Sequence, residues 1–294
     1  MRQEPKSEDA WNAELYAAHS AHHRQQDASF LASVVLAPTD RVVDLGCGTG
    51  EFTNQLAALV PEGAVFGIDA SASQVARASA KRSANVRLVV GRLQDLDEVL
   101  QDESFHAAVS RATLHWVPKE EHPALLRAVR KHLRPGGFLR AEFGGRGQMQ
   151  DALSMLDEVS ESLGGPVSPW FFPEADEYAD LVDQAGLTAE GGFVRLLPQR
   201  RAMPTFEALR GFLRSQAFVG YEMGLRSETR TVFREVAESR AARELRRSDG
   251  SYDLEFVRLD LLAFTRAAGT GSTPPTGSAE GQLVGADRAL LLTK

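Results

Sequence analysis

The sequence predicts a doubly wound α/β fold, a mostly parallel sheet with helices on both faces. Three observations predict it. Short apolar runs alternate with helical stretches at strand, helix, strand spacing. The first run leads into a glycine-rich turn that opens a helix, Asp44-Leu45-Gly46-Cys47-Gly48-Thr49-Gly50. The second run ends on an acidic residue, Asp69. In such a sheet a ligand binds beyond the carboxyl ends of the strands, near the point where strand order reverses.

Each element has its own signal. Trp11 to Leu36 suits one or two amphipathic helices. Arg41–Leu45 reads as a buried strand, followed by a helix through Gln55-Leu56-Ala57. Ala64–Ile68 is a second strand, and Ser71 with Gln74 three residues on is the capping-box signature of the next helix. Val86–Val90 and His106–Ser110 are strands three and four. A helix from about Glu120 to Leu133 is stopped by Arg134-Pro135-Gly136-Gly137, ahead of a fifth strand at Phe138–Phe143. Beyond Gly147 we expect helices at Gln148 to about Leu163 and at Pro173–Ala185, the latter closed by Gly186. A strand at Leu187–Leu197, one charged helical stretch from Phe206 to about Arg243 and a final strand at Tyr252–Thr265 complete the pattern. Residues 269–277 form a low-complexity linker. The expected organisation is a helical segment at 1–36, a domain at 37–267 and a flexible tail at 268–294.

Composition narrows the class. With 33 Lys+Arg against 40 Asp+Glu, the net charge of -7 argues against a nucleic-acid partner. The lone Cys47 can make no internal disulfide and belongs to no zinc cluster. His19 and His23 lie four apart on one helical face, but a metal needs a third ligand and none is evident, so no metal is expected. The polar N-terminus leads into no apolar signal region, and no run approaches the ~20 apolar residues of a membrane span. The cytoplasm is the default compartment, and the sequence does not reveal the oligomeric state.

The glycine-rich turn lets the backbone approach a ligand and aims helix N–H groups at it. A dinucleotide fingerprint would need glycine where Glu51 stands, and a carboxylate there would repel a pyrophosphate. Asp44, just before the turn, adds to that repulsion. A cationic ligand fits better. The methionine part of S-adenosylmethionine (SAM) carries an ammonium and a sulfonium, and Asp44 can meet the ammonium directly or through water. Asp69 can accept both hydroxyls of a ribose, and the Leu93 N–H at the end of strand three can donate to an adenine edge. Cys47 reads as a small residue packed under the ligand.

These residues resemble motif I of class I SAM-dependent methyltransferases. The resemblance extends to the trans-aconitate methyltransferase group through Ser110-Arg111-Ala112-Thr113-Leu114-His115-Trp116-Val117-Pro118, Leu133–Gly137 and Glu142–Gly147. It also includes Pro169–Pro173, Glu177-Tyr178, Trp11 and Tyr16, and so covers roughly residues 11 to 267. It implies a Rossmann-like, seven-stranded sheet ending in an antiparallel hairpin, with helices at about 198–250 acting as a lid over the substrate. Its cofactor would be SAM, held by Asp44, Gly46, Cys47, Gly48, Thr49, Gly50, Asp69, Ala70, Arg92, Leu93, Ser110 and Arg111. The chain departs from the family at Arg92, His106 and Arg111, where acidic, Asp and Asn residues are frequent. Arginine cannot accept a bond from the adenine amino group, a role left to Gln94 or Asp95.

His115 is the expected catalytic residue, as base or hydrogen-bond donor, and Trp116 can form a wall or donate its indole N–H; the alternative is that both pack under the lid without chemistry. Tyr16, His19 and His23 are expected at the substrate. The basic pairs Arg200-Arg201 and Arg246-Arg247 suit either attraction of an acidic substrate or solvated helix faces. The expected activity is methylation of a small molecule, an acidic metabolite at its carboxylate or a natural-product-like compound. Methylation at carbon or nitrogen, and SAM binding without turnover, are the alternatives.

Overall fold

The computed structural model describes residues 29–265. Most of the expected N-terminal helical segment, including Trp11, Tyr16, His19 and His23, lies outside the described residues, as do the 269–277 linker and the tail. The described residues form two compact units, one of residues 29–143, 174–195 and 259–265, the other of residues 144–173 and 196–258.

In chain order the first half contains β1 (Arg41–Leu45), α1 (Glu51–Leu59), β2 (Ala64–Asp69), α2 (Ala72–Ser79), β3 (Val86–Val90), α3 (Leu96–Leu100), β4 (Phe105–Arg111), α4 (His122–His132) and β5 (Leu133–Gly144). There follow α5 (Gln150–Ser162), α6 (Ala175–Gln184), β6 (Leu187–Arg201), α7 (Phe206–Phe212), α8 (Phe218–Glu222), α9 (Ser227–Glu244) and β7 (Leu254–Thr265). The sheet has seven strands in the order β3-β2-β1-β4-β5-β7-β6. β1 pairs in parallel with β2 and β4, β2 with β3, and β4 with β5. Parallel neighbours need crossover helices that cover the sheet, which is why β1, β2 and β4 read as nearly unbroken apolar runs. Val42, Val65, Ala107, Val109 and Phe138 pack with Leu56 and Ala57 of α1 and with Phe30 and Val34 in one core.

The last strand reverses direction. Thr265 donates to the Arg134 carbonyl and Arg140 donates to the Leu261 carbonyl, so β7 runs against β5. Asp260 of β7 accepts from Arg195 of β6 at 3.0 Å and lies 2.7 Å from Arg140 of β5, which ties these three strands together by buried charge.

Three expectations are corrected. First, α4 stops at His132 and Leu133 already pairs with Phe105. The register then jumps to Ala107 opposite Phe138, so Arg134–Gly137 is an irregularity within β5, turned by Gly136 at φ +76°. Second, only half of the capping box forms. The Ser71 hydroxyl accepts from the Gln74 N–H, but the Ser71 N–H goes to the Asp69 carboxylate. Replacing Ser71 by Ala should therefore cost about 1 kcal/mol of stability, read as a lower urea midpoint with an unchanged slope.

Third, the long helix expected from Phe206 is broken. Residues 213–217 form a π-helical turn between α7 and α8, and the chain breaks again before α9. At Gly224 a Cβ would stand 2.5 Å from the Pro166 ring, so that close approach accepts only glycine, a poor helix former. This second unit has its own core, in which Leu156 and Val159 of α5 meet Phe218, Tyr221, Phe233 and Ala237. Among the described residues no helix is long and apolar enough to cross a membrane.

Candidate active site

The parallel strands β3, β2, β1 and β4 end side by side, and their carboxyl ends carry the residues singled out at 44–50, 69–70, 92–93 and 110–116. Strand order reverses between β1 and β4. There the buried Ser110 hydroxyl donates to the Leu45 carbonyl at 2.8 Å, holding the two strand ends together.

The glycine loop leaves β1 at this point. Gly46 and Cys47 both donate to the Ile68 carbonyl, at 2.8 and 2.9 Å. Gly46 takes φ +88°, and a Cβ there would lie 2.2 Å from the Thr113 side chain. The position thus needs glycine for its backbone and for its neighbour. The one Thr113 hydroxyl hydrogen lies between the Arg111 carbonyl at 3.0 Å and the Gly46 carbonyl at 3.3 Å, and the Thr113 side chain fills the space beside Gly46, so the segment after β4 is clasped to the glycine loop. Thr49 is half-buried, and Gly50 leads into α1.

Two carboxylates anchor the loop. Asp44 is buried and accepts from the Thr53 hydroxyl at 2.7 Å. Burial pushes its pKa up to about 7; the Thr53 bond works against this and the charge of Asp69 adds to it. Asp69 accepts from the Gly48 N–H at 2.9 Å and from the Ser71 N–H at 2.8 Å. Burial also raises its pKa, against the pull of those two bonds. Each oxygen retains a lone pair for a further donor. Ala70 beside it is exposed.

Cys47 packs against β2: a Cβ on Gly67 would stand 3.1 Å from its sulfur. Burial, with Asp44 and Asp69, pushes its thiol up, so it is no ready thiolate at neutral pH. Leu93 is buried and Gln94 half-buried, while Arg92 and Asp95 are exposed. The Arg111 Nε lies 3.9 Å from the Glu142 carboxylate. His106 stands at the opposite end of β4, where its Nδ1 accepts from the Arg41 N–H at 2.9 Å.

After β4, Ala112 turns the chain at φ +53°, and its N–H donates to the Glu142 carbonyl at 2.7 Å. Leu114–Trp116 then forms a single 3-10 turn. Leu114 and Val117 are buried, whereas His115 and Trp116 are half-exposed, with ring centroids 5.8 Å apart.

Residues 42–137 match the family described as a methyltransferase domain. Over 222 residues the chain is 32% identical to a trans-aconitate 2-methyltransferase of Deinococcus radiodurans, an alignment covering 72% of this chain and 82% of that protein. The chain belongs to the class I SAM-dependent methyltransferases. This methyltransferase is also 27% identical over 267 residues to an uncharacterized methyltransferase of Schizosaccharomyces pombe, covering 87% of this chain and 98% of the other. Its fold is similar to that of phosphoethanolamine N-methyltransferase 2 of Haemonchus contortus, solved in complex with SAM. That match has a TM-score of 0.54 at 15% identity and covers 87% of this chain and 56% of that one.

SAM is the cofactor of this methyltransferase, and the chemistry of the loop fits it. Two neighbouring carboxylates whose pKa values burial raises favour a positively charged ligand. Asp44 is suited to the ammonium, Asp69 to ribose hydroxyls, and the backbone around Gly46–Gly50 to close approach.

Sequence reasoning missed Thr53, Thr113 and the imidazole of His122. Thr53 was findable, since it falls in the first turn of the helix that the glycine loop opens. The other two act on residues distant in sequence. Of the basic pairs, Arg247 reaches Asp253 at 3.4 Å and Arg200 reaches Glu255 at 3.7 Å, so these two serve pairing within their own unit. Among the described residues no group of three or more His, Cys, Asp or Glu side chains is arranged to hold a metal.

Proposed function

We propose that this methyltransferase methylates the carboxylate of a small acidic metabolite. The observation that carries the reading is the clasp between Thr113 and Gly46, which sets the His115-Trp116 turn beside the glycine loop. The name of the Deinococcus relative, which acts on an acid, supports the same class of acceptor.

Bound SAM supplies a methyl group already activated on a sulfonium. A carboxylate is ionised at neutral pH and needs no base. The remaining work is to hold the acceptor in line and keep water out. In this reading His115 donates a hydrogen bond to one carboxylate oxygen and the Trp116 indole N–H donates to the acid from the adjacent side. Asp44, Gly46, Cys47, Gly48, Thr49, Gly50, Asp69, Ala70, Leu93, Ser110 and the Arg111 backbone hold the cofactor. Arg92, exposed at the end of β3, borders the adenine end.

The test is turnover of SAM with a panel of di- and tricarboxylic acids that includes trans-aconitate, followed as S-adenosylhomocysteine formed. We expect at least one acid to turn over and its new methyl group to be released as methanol in mild alkali, as an ester requires. A product whose methyl group survives alkali would assign the reaction to an atom other than a carboxylate oxygen. Turnover of amines or phenols with no acid active would sink the carboxylate reading.

A further inference from the structure

The helix that follows the His115-Trp116 turn begins with a histidine that faces neither solvent nor the glycine loop. His122, the first residue of α4, is fully buried. Its Nε2 lies 3.1 Å from the Val117 carbonyl, and its Nδ1 lies 3.1 Å from the Tyr178 hydroxyl. Tyr178 belongs to α6, is itself fully buried, and packs edge-on against His122 and against Phe143 of β5.

The chemistry of the partners fixes the tautomer. A carbonyl oxygen can only accept, so the Val117 bond requires the hydrogen on Nε2. Nδ1 is then the acceptor, and the Tyr178 hydroxyl donates to it. Burial pushes the His122 pKa down to about 4, so the ring stays neutral at ordinary pH. The carbonyl it reaches belongs to the residue that ends the turn: Val117 donates to the Leu114 carbonyl at 3.0 Å and closes the 3-10 turn that carries His115 and Trp116.

We infer that His122 and Tyr178 are positioning residues for methyl transfer: Tyr178 locks the His122 tautomer, and His122 caps the Leu114–Val117 turn so that His115 and Trp116 keep one orientation. Both side chains are fully buried behind the turn. The effect of the pair passes through the Nε2–H bond to the Val117 carbonyl, at the end of the turn. A purely structural pair would set stability alone, whereas this one sets where the Trp116 indole points. The inference rests on the reading of His115 and Trp116 given above.

The experiment uses the full chain labelled with 5-fluorotryptophan. The chain has three tryptophans, so three fluorine resonances are expected, and Trp116→Phe assigns one. In Tyr178→Phe the Trp116 resonance should move or split while the other two stay in place. With the acid that turns over fastest, kcat should fall about tenfold, the scale of a small misplacement at the reacting groups, and the Kd for S-adenosylhomocysteine should stay within twofold. His122→Gln keeps a donor near the Nε2 position and should lie closer to wild type than His122→Leu in both readouts. An unmoved Trp116 resonance in Tyr178→Phe and His122→Leu overturns the inference. His115→Asn and Trp116→Phe are measured alongside. If they leave kcat unchanged, the reading of the site falls, and the fluorine spectrum still decides whether the pair orients the turn. If they lower kcat while Tyr178→Phe does not, the positioning inference alone falls.

Discussion

Replacing Asp69 by Ala should weaken S-adenosylhomocysteine binding by roughly a hundredfold, read by calorimetric titration. The expectation adds two losses. The substitution removes the carboxylate proposed for the ribose hydroxyls, and charge-assisted hydrogen bonds contribute about 1.5–3 kcal/mol each. It also releases the Gly48 and Ser71 N–H groups, which shape the glycine loop and the start of α2. Asp69→Asn separates the two. Its one oxygen can serve a single backbone donor, while its amide must face the other, so Asn should bind more tightly than Ala and more weakly than Asp. Binding by Asp69→Ala within about threefold of wild type would remove Asp69 from the cofactor site. Urea unfolding of both variants without ligand tells loop collapse from loss of contact.

Cofactor affinity should also depend on pH through Asp44. Its folded pKa of about 7 lies above the ordinary 3.8. A cationic ligand binds best to the ionised form, so affinity should fall up to tenfold per unit as pH drops below 7. The sign for folding is opposite. A raised folded pKa means that the folded state holds the proton, so this stability is fully present below about pH 4 and lost as pH rises through 7. Its full size is on the order of 4 kcal/mol. The thermal shift caused by S-adenosylhomocysteine should therefore be larger at pH 8 than at pH 5.5. Asp44→Asn should flatten the affinity profile and converge with wild type at pH 5.5. A profile that keeps its slope in Asp44→Asn would assign the titration elsewhere.

Much of the sheet was legible because a parallel strand buried on both faces writes itself as an apolar run. Val42-Val43, Val65–Ile68 and Ala107–Val109 leave few other readings. The glycine loop was legible because the needs of its backbone are local. What could not be read depends on partners far along the chain. Nothing near Gly224 announces that Pro166 will press on it and end a helix. Gln74 promised a reciprocal cap, but Asp69 reached the Ser71 N–H first, since it sits two residues away at a strand end. His122 carries no local signal of its role, because its connection to Tyr178 spans 56 residues. The candidate site divides the same way: Asp44 and Asp69 were found from pattern, whereas Thr113 required the approach of two loops.

That approach bears on redesign. Gly46 and Thr113 share one volume, so the two positions form a single variable. Enlarging residue 113 to reshape the acceptor side would push on the backbone that faces the cofactor, and no side chain at 46 can give way, because none is there. Libraries aimed at new acceptors should therefore hold 113 at threonine or smaller and place their diversity at 115 and 116. Variants larger at 113 should be screened for lost cofactor binding before any change in acceptor preference is credited to them.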